Sequence, residues 1–532
     1  MNNNRIIAYL GLMSVFLFIV NFYVFSRFTV DDAFITWRYG RNLIEFGVWG
    51  YNPVSFDLTQ AYTNPLYAAL SIIPAYLGLD AVLFFKIFSI LLAGYFIIAF
   101  AKNLNNKIVG LSTLAFLFAS PSLTIHLFSG LETFAYAAFL GLAFVGLERR
   151  EYSITTIYIL LAVLCRPEAW LWTALLPLSI LTMEASRKAT FEMGSSKLSF
   201  ANLQAENWKY VLFSTVPGFS LAAMLLLHKA HFGYFLPNTF YVKSASGAAF
   251  DPFTFAFIAI LGLSPIAVAF IAGRKLVPVL ILIYFFPVIY NYSTSDLQMN
   301  YNWRFAFQVF TPVYIYAAYI AASDTRIFKL TSAESPLKEH VFHANKSFAF
   351  LLGFAAAMYT LQTNRASELV HLANYYPRAL ESHAALGKVL NDITLPAETS
   401  FLLGDAGMAA FHSRSVALDN VGLGSALVSH NGVTPEVLDQ YNPEHIFLHA
   451  NPETGIWQRF GHQEVLHWIE SRNYNFQCDI FWKRDYSLRY FAQQANPRIE
   501  ELCATSRQAN YLGDKDYFID QASHFPWRYW RE

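Results

Sequence analysis

The chain has 532 residues, of which 37 are Lys or Arg and 37 are Asp or Glu, so only 14% carry a charge and the formal net charge is zero. An average soluble protein carries roughly 25% charge, and 50 Phe with 17% aromatic residues have no use in a water-soluble globule of this size. The composition disfavours a secreted disulfide scaffold, a disordered chain and a nucleic-acid binder, because no basic block is present to neutralise a phosphate backbone.

Charge is unevenly placed. Residues 363–532 hold 34 charged residues (20%), and residues 1–362 hold 40 (11%). The first part reads as a membrane-embedded domain (1–362) and the second as a soluble domain (363–532).

In chain order, Ile6 to Phe25 is apolar apart from Ser14 and Asn21. Twenty residues at about 1.5 Å rise span about 30 Å, the thickness of a hydrocarbon core. Further apolar runs lie at 81–101, 108–127, 131–148, 153–166, 168–184, 210–228, 252–272, 276–291, 304–322 and 347–362. The expectation is a polytopic helical protein of about eleven spans. The 14 apolar residues at 65–78 are too few for a span and read as a short interfacial helix. With the N-terminus inside, the cytoplasmic segments hold fifteen Lys or Arg against seven in the outer segments before residue 363. That bias supports this orientation, and an odd number of spans puts the soluble tail outside.

Under this topology the outer segments are the chemically rich ones: VDDAFITWRYGRN (30–42), SGLET (129–133), CRPE (165–168), HFGYFLPNTFYVK (231–243) and SDLQMNYNWRF (295–305). Ionisable groups at helix ends in a bilayer are costly and tend to line a site. Asp31 and Asp32 could act as general base on a hydroxyl, hold a divalent metal (Mg, Mn or Ca), or cap a helix beginning at Ala33. Arg38 and Arg41 share a helix face and suit a phosphate or lipid headgroups. Arg166 with Glu132 and Glu168 reads either as a structural ion pair or as an anion site ordered by the carboxylates. Lys86 either snorkels or points into a cavity toward a lipid phosphate. Asn238 and Tyr241 suit a hydroxyl-rich ligand, Lys243 a phosphate, and Arg304 resembles Arg166, with Asp296 eight residues before it.

No zinc spacing, Walker loop or dinucleotide glycine pattern occurs. In the tail, Cys478 and Cys503 either pair, if the domain faces an oxidising compartment, or stay as free thiols. The segment 398–425 reads as strand, Gly-rich turn, short helix and strand, followed by a strand at 442–450, a helix at 463–474 and a strand at 476–484. That alternation predicts a small α/β domain with Asp405 and Asp419 at strand ends, where ligand loops gather.

VDDAFITWRYGRNL, YNP, AYTNPLY, SGLET, CRPE, LPNTFYVK and the RF of NWRF occur in that order, with GDAG…ALDNVGL in the tail. This ordered set resembles the GT-C polytopic glycosyltransferases, in particular the family of the mycobacterial terminal arabinofuranosyltransferase. The resemblance implies sugar transfer from a polyprenyl-phosphate donor to a cell-envelope glycan or lipid acceptor on the outer face. It implies Asp31 and Asp32 as the catalytic pair, and it departs at 294–296, where TSD stands in place of Gly-Gly-Asp. The expectation that goes with it is single displacement with inversion, Asp31 or Asp32 as base, and Arg166, Lys243, Arg304, Lys86 or Arg38 around the donor phosphate. The competing reading is a transporter or flippase of lipid-linked glycans, which predicts internal repeats and charges at mid-membrane.

Overall fold

The computed structural model describes residues 3–191, 205–245, 249–295, 297, 299–323, 337–483 and 485–511. Every apolar run named above is helical within those residues, beginning with the helix Asn3–Phe25. The expected eleven spans are not confirmed by helix length among the described residues. Among the described residues five helices are long and apolar enough to cross a membrane, Ile6–Phe25, Ala81–Lys102, Trp208–Phe232, Leu276–Ser293 and Tyr301–Ser323, or six if a bent pair counts as one span. Three further apolar helices, Thr133–Glu148, Tyr152–Cys165 and Ser347–Thr363, are shorter, and two runs are interrupted. The run at 108–127 breaks into Lys107–Phe118 and Pro121–Phe128, bent by 72°, because Pro121 cannot donate the hydrogen bond that would continue the first helix. The run at 252–272 breaks likewise before Ile266, at Ser264 and Pro265. Residues 65–78 form two short helices, Pro65–Leu70 and Ile72–Leu77, rather than a span.

The apolar helices divide by what they face. Only 17–22% of the residues in the apolar windows of Ile6–Phe25, Ala81–Lys102 and Trp208–Phe232 are buried inside the protein, as for helices that face lipid. The helix Arg304–Ser323 is buried along its whole length and packs on Thr133–Glu148. Close approach is possible because Gly141 lies against Ile315, where a Cβ would sit 2.7 Å from a side-chain carbon. This central helix brings Arg304 at its first residue to the end of the bundle where the functional segments meet.

The last long apolar helix ends at Thr363. Beyond it a six-stranded sheet forms from β1 (Ser400–Leu403), β2 (Val416–Leu418), β3 (His445–Asn451), β4 (Gly455–Ile456), β5 (Asn475–Lys483) and β6 (Tyr486–Ala492). The order is β2-β1-β3-β6-β5, with β4 paired to β3. The β2-β1-β3 half is parallel and the β3-β6-β5 half antiparallel. The strand–turn–helix–strand expected at 398–425 is present as β1, the helix Met408–Ser413 and β2. A disulfide joins Cys478 on β5 to Cys503 on the helix Pro497–Ser506, 25 residues apart. Closing a loop of that length removes denatured-state entropy worth about 3 kcal/mol. Cys503→Ser is expected to lower the unfolding midpoint of the sheet domain, read by circular dichroism melts with and without reductant; an unchanged midpoint would show that the bond contributes nothing.

The sheet domain is seated on residues 30–64 through buried polar contacts. Tyr51 donates to the Ala406 carbonyl (2.7 Å), and Asn52 both donates to and accepts from the Ala417 backbone (3.1 and 2.8 Å). The Asp57 carboxylate accepts from Ser425 and Tyr441 hydroxyls (2.6 Å each) and from the Leu427 N–H (3.2 Å). Buried groups of this kind are costly to leave unpaired, so the seam holds the domain in one position.

Candidate active site

The acidic pair opens the helix Asp31–Phe46, and the two carboxylates go to different places. Val30 is the N-cap and no side chain caps this helix, so the capping role considered for Asp31 or Asp32 is not the one the chain adopts. Asp31 instead accepts from the N–H groups of Gly407 (3.0 Å) and Met408 (2.8 Å), at the start of the helix Met408–Ser413 in the sheet domain. Its own N–H donates to the Tyr376 hydroxyl (3.0 Å). Gly407 is required for this contact, because a Cβ there would lie 2.2 Å from the Asp31 carbonyl oxygen. Burial, with the charge of Asp405 adding to it, pushes the Asp31 carboxyl up to about 6 against the lowering effects of His383 and the Met408 N–H.

Asp32 keeps a partly exposed side chain and accepts no hydrogen bond from the described residues. Burial raises its pKa above the ordinary carboxylate value, and the charges of Arg304 and Lys243 oppose that rise. A half-buried carboxylate without a fixed donor, beside cations, has the properties of a general base.

Around it the predicted cations converge. Arg166 donates to Glu132 (2.7 Å) and, in a bidentate fork, to Glu168 (3.0 and 2.7 Å). Arg304 reaches Glu132 at 3.5 Å, and its Nε is buried without a partner. Arg166, Lys243 and Arg304 all stand against the Phe305 ring, at 6.0, 5.8 and 5.7 Å from its centre. Arg166 is saturated by carboxylates; Arg304 is not. Lys243 sits on the helix Asn238–Ala245, where burial and the two guanidiniums lower its ammonium from its ordinary value, so an added anion would be favoured.

The backbone that presents Arg304 is shaped for the purpose. Met299, Asn302 and Trp303 all take positive φ (58°, 48° and 51°). Asn302 is held there by Glu368, which accepts its N–H, and by the Thr363 carbonyl (3.2 Å) and Asn364 (2.9 Å), which accept from its side chain. Strain of this sort costs of order 1–3 kcal/mol per residue and persists only where surroundings impose it.

Other expected site residues lie elsewhere. Arg38 is buried beneath the sheet domain, donates to the Ser415 carbonyl (2.6 Å) and covers the Tyr51 ring (4.8 Å). Lys86 donates to the Ser26 carbonyl (2.6 Å), at the turn leaving the first helix. The Asn238 amide is consumed by carbonyls of Gly422, Leu423 and Ser425 and by the Ser429 hydroxyl. Tyr241 packs at a tilt against His430 (4.5 Å) and lines a crevice with Gln60 and Tyr234, on the interface with the sheet domain. Asp296 lies outside the described residues.

Several members of the cluster escaped the sequence reading. Asn64 donates to Glu132 (2.5 Å) and accepts from Thr36 (3.1 Å), and the Tyr292 hydroxyl lies within hydrogen-bond distance of Glu168 (3.1 Å) and Gln308 (2.8 Å). The available signal was a polar side chain inside an apolar run, Tyr292 and Gln308, and the TNP start of a short helix at Asn64. In the sheet domain, Asp405 accepts from His383 (3.0 Å), His449 (3.2 Å) and the Tyr486 hydroxyl. No group of three or more His, Cys, Asp or Glu among the described residues is arranged to hold a metal. With both Asp31 oxygens on backbone N–H groups and Asp32 beside cations, the donor set does not fit a divalent ion, and no step is derived through one.

No protein-family model matches the chain, and no curated protein sequence matches it. Among solved structures it is similar to ArnT from Cupriavidus metallidurans bound to undecaprenyl phosphate, with a TM-score of 0.52 and 14% identity over 91% of this chain and 98% of that one. The apo form of the same protein gives a TM-score of 0.51 at 12% identity with the same coverage. An archaeal oligosaccharyltransferase, AglB from Archaeoglobus fulgidus in complex with an inhibitory peptide and a dolichol-phosphate, aligns at a TM-score of 0.47 and 15% identity over 91% of this chain and 74% of that one. With its apolar helices and terminal sheet, the chain is a polytopic helical membrane protein of the GT-C fold.

Proposed function

We propose that the protein is a glycosyltransferase that moves a sugar from a polyprenyl-phosphate donor to a glycan or lipid acceptor. The observation that carries this reading is Asp32, a carboxylate with no hydrogen-bond donor among the described residues, beside Arg304 and Lys243. In a single displacement the acceptor hydroxyl attacks the anomeric carbon from the face opposite the leaving phosphate. Asp32 takes the hydroxyl proton, the C–O bond to the acceptor forms, and the C–O bond to the lipid phosphate breaks. Arg304 and Lys243 neutralise the phosphate as its charge develops, with Arg166 held by Glu132 and Glu168 to shape the recess. ArnT, which shares the fold, is itself recorded with undecaprenyl phosphate. Each buried methylene of such a lipid is worth about 0.8 kcal/mol, so the site must come to the membrane edge.

The Cys478–Cys503 disulfide supports a sheet domain on the oxidising, outer face, as does the Lys/Arg bias. The charged cluster stands at helix starts and ends rather than at mid-span, which favours transfer over transport. The closer likeness to the arabinofuranosyltransferase family rests on the ordered motifs, and pentose or hexose is open to either. Purified protein given a labelled undecaprenyl-phosphate sugar is expected to cleave the sugar–phosphate bond, with an acidic limb of kcat/KM above the ordinary carboxylate range because Asp32 must be ionised. Movement of intact labelled lipid across proteoliposomes without cleavage would sink this reading and favour the flippase.

A further inference from the structure

Asp405 and Asp419 both end strands on the parallel side of the sheet, yet they differ in what they leave open. Asp419 is fully buried and accepts from the N–H groups of Val421, Gly422 and Gly424, which seals it into a turn. Asp405 has a side chain 31% exposed, while the two histidines bound to it are 3% and 4% exposed. An ionised carboxylate offers about four acceptor positions. His383, His449 and Tyr486 take three of them on Asp405, so one remains on the accessible side.

The carboxylate is built to be held in place. Gly404 admits His449, since a Cβ there would lie 2.2 Å from the imidazole Cε1. The surroundings are aromatic: Trp482 lies 5.3 Å from both Tyr376 and Tyr486, and Trp457 stacks on His449 (5.2 Å). Burial alone would raise Asp405, but His449 and His383 hold it well below the ordinary carboxylate range, while Asp405 raises His383. The two imidazoles and the tyrosine hydroxyl leave a single acceptor position on the exposed carboxylate, a site for a hydroxyl more than for a many-coordinate cation. Asp405 stands two residues before Gly407, whose N–H donates to Asp31, so it lies across the domain seam from the acidic pair.

We propose that Asp405 is a binding residue for the acceptor, taking a hydrogen bond from a hydroxyl of a neutral glycan at the aromatic-lined end of the parallel strands and setting a second hydroxyl toward Asp32. This rests on the transferase reading and adds to it the place and chemical class of the acceptor. His383 and His449 are positioning residues that fix the carboxylate from behind.

The test uses the full chain in lipid nanodiscs and two separate probes. Saturation-transfer NMR with methyl β-glucoside, methyl β-galactoside, methyl α-mannoside and methyl α-arabinofuranoside reports the acceptor site. Undecaprenyl phosphate binding reports the donor site. At least one glycoside is expected to give a saturable signal, and Asp405→Asn is expected to weaken it ten-fold or more while undecaprenyl phosphate binds within two-fold of the original chain. Asp405→Glu, which keeps the charge but displaces the carboxylate, is expected to weaken the glycoside at least five-fold and covers the case in which the amide variant fails to fold. In transfer assays with the glycoside that binds, the loss should fall on the acceptor KM rather than kcat, a split that a purely structural latch would not produce. Equal glycoside affinity in the variants, or no saturable glycoside with the original chain, overturns this inference alone. Failure of the original chain to bind undecaprenyl phosphate overturns the donor reading instead.

Discussion

Asp32→Asn is expected to lower kcat for sugar transfer by about 10²–10⁴-fold, the usual contribution of a positioned general base, with little change in unfolding temperature. The amide cannot accept the proton of the attacking hydroxyl, and no hydrogen bond from the described residues is lost, because none is made. Asp31→Asn should behave in the opposite way. The carboxamide can accept from one of the Gly407 and Met408 N–H groups but presents its own N–H₂ to the other. Leaving such a group unsatisfied costs about 1–3 kcal/mol, so the melting temperature should fall, with a much smaller effect on kcat. Rates from a radiolabelled polyprenyl-phosphate sugar, paired with thermal melts of each variant, decide the matter. Full activity in Asp32→Asn together with abolished activity in a stably folded Asp31→Asn would exchange the two roles.

The second large effect separates the cations. Arg166→Ala leaves Glu132 (1% exposed) and Glu168 without their shared guanidinium. Breaking a buried pair by removing one partner costs about 3–5 kcal/mol, so this variant should express poorly or melt early. Lys243→Ala and Arg304→Gln should instead weaken undecaprenyl phosphate ten-fold or more, because Arg304 has one long carboxylate contact at 3.5 Å with its Nε unpartnered, and Lys243 stands against the same Phe305 ring. Titration of the lipid phosphate by microscale thermophoresis, with melts on the same samples, checks both. Unchanged lipid affinity in Lys243→Ala and Arg304→Gln would remove the phosphate from this recess.

The two apolar runs that break at Pro121 and Pro265 show what reading the chain in one dimension leaves out. Hydropathy sums residues along a run and is blind to a bend at a proline unless that proline is weighed against helix length. Missed partners such as Asn64 and Gln308 carry no charge, and their meaning appears only once Glu132 and Tyr292 are beside them.

Apolar runs, the alternation of the tail and the clustering of ionisable groups at helix ends were legible from residue order, because burial and helix geometry act locally along the chain. Which acid is the base, and which cations are spent on carboxylates, was decided by tertiary contacts. Neighbouring residues on a helix project about 100° apart, so Asp31 turns to a turn 376 residues away while Asp32 meets Arg304 and Lys243. Order along the chain sets depth in the membrane, but the direction a side chain takes around its helix acquires a partner only when distant segments pack.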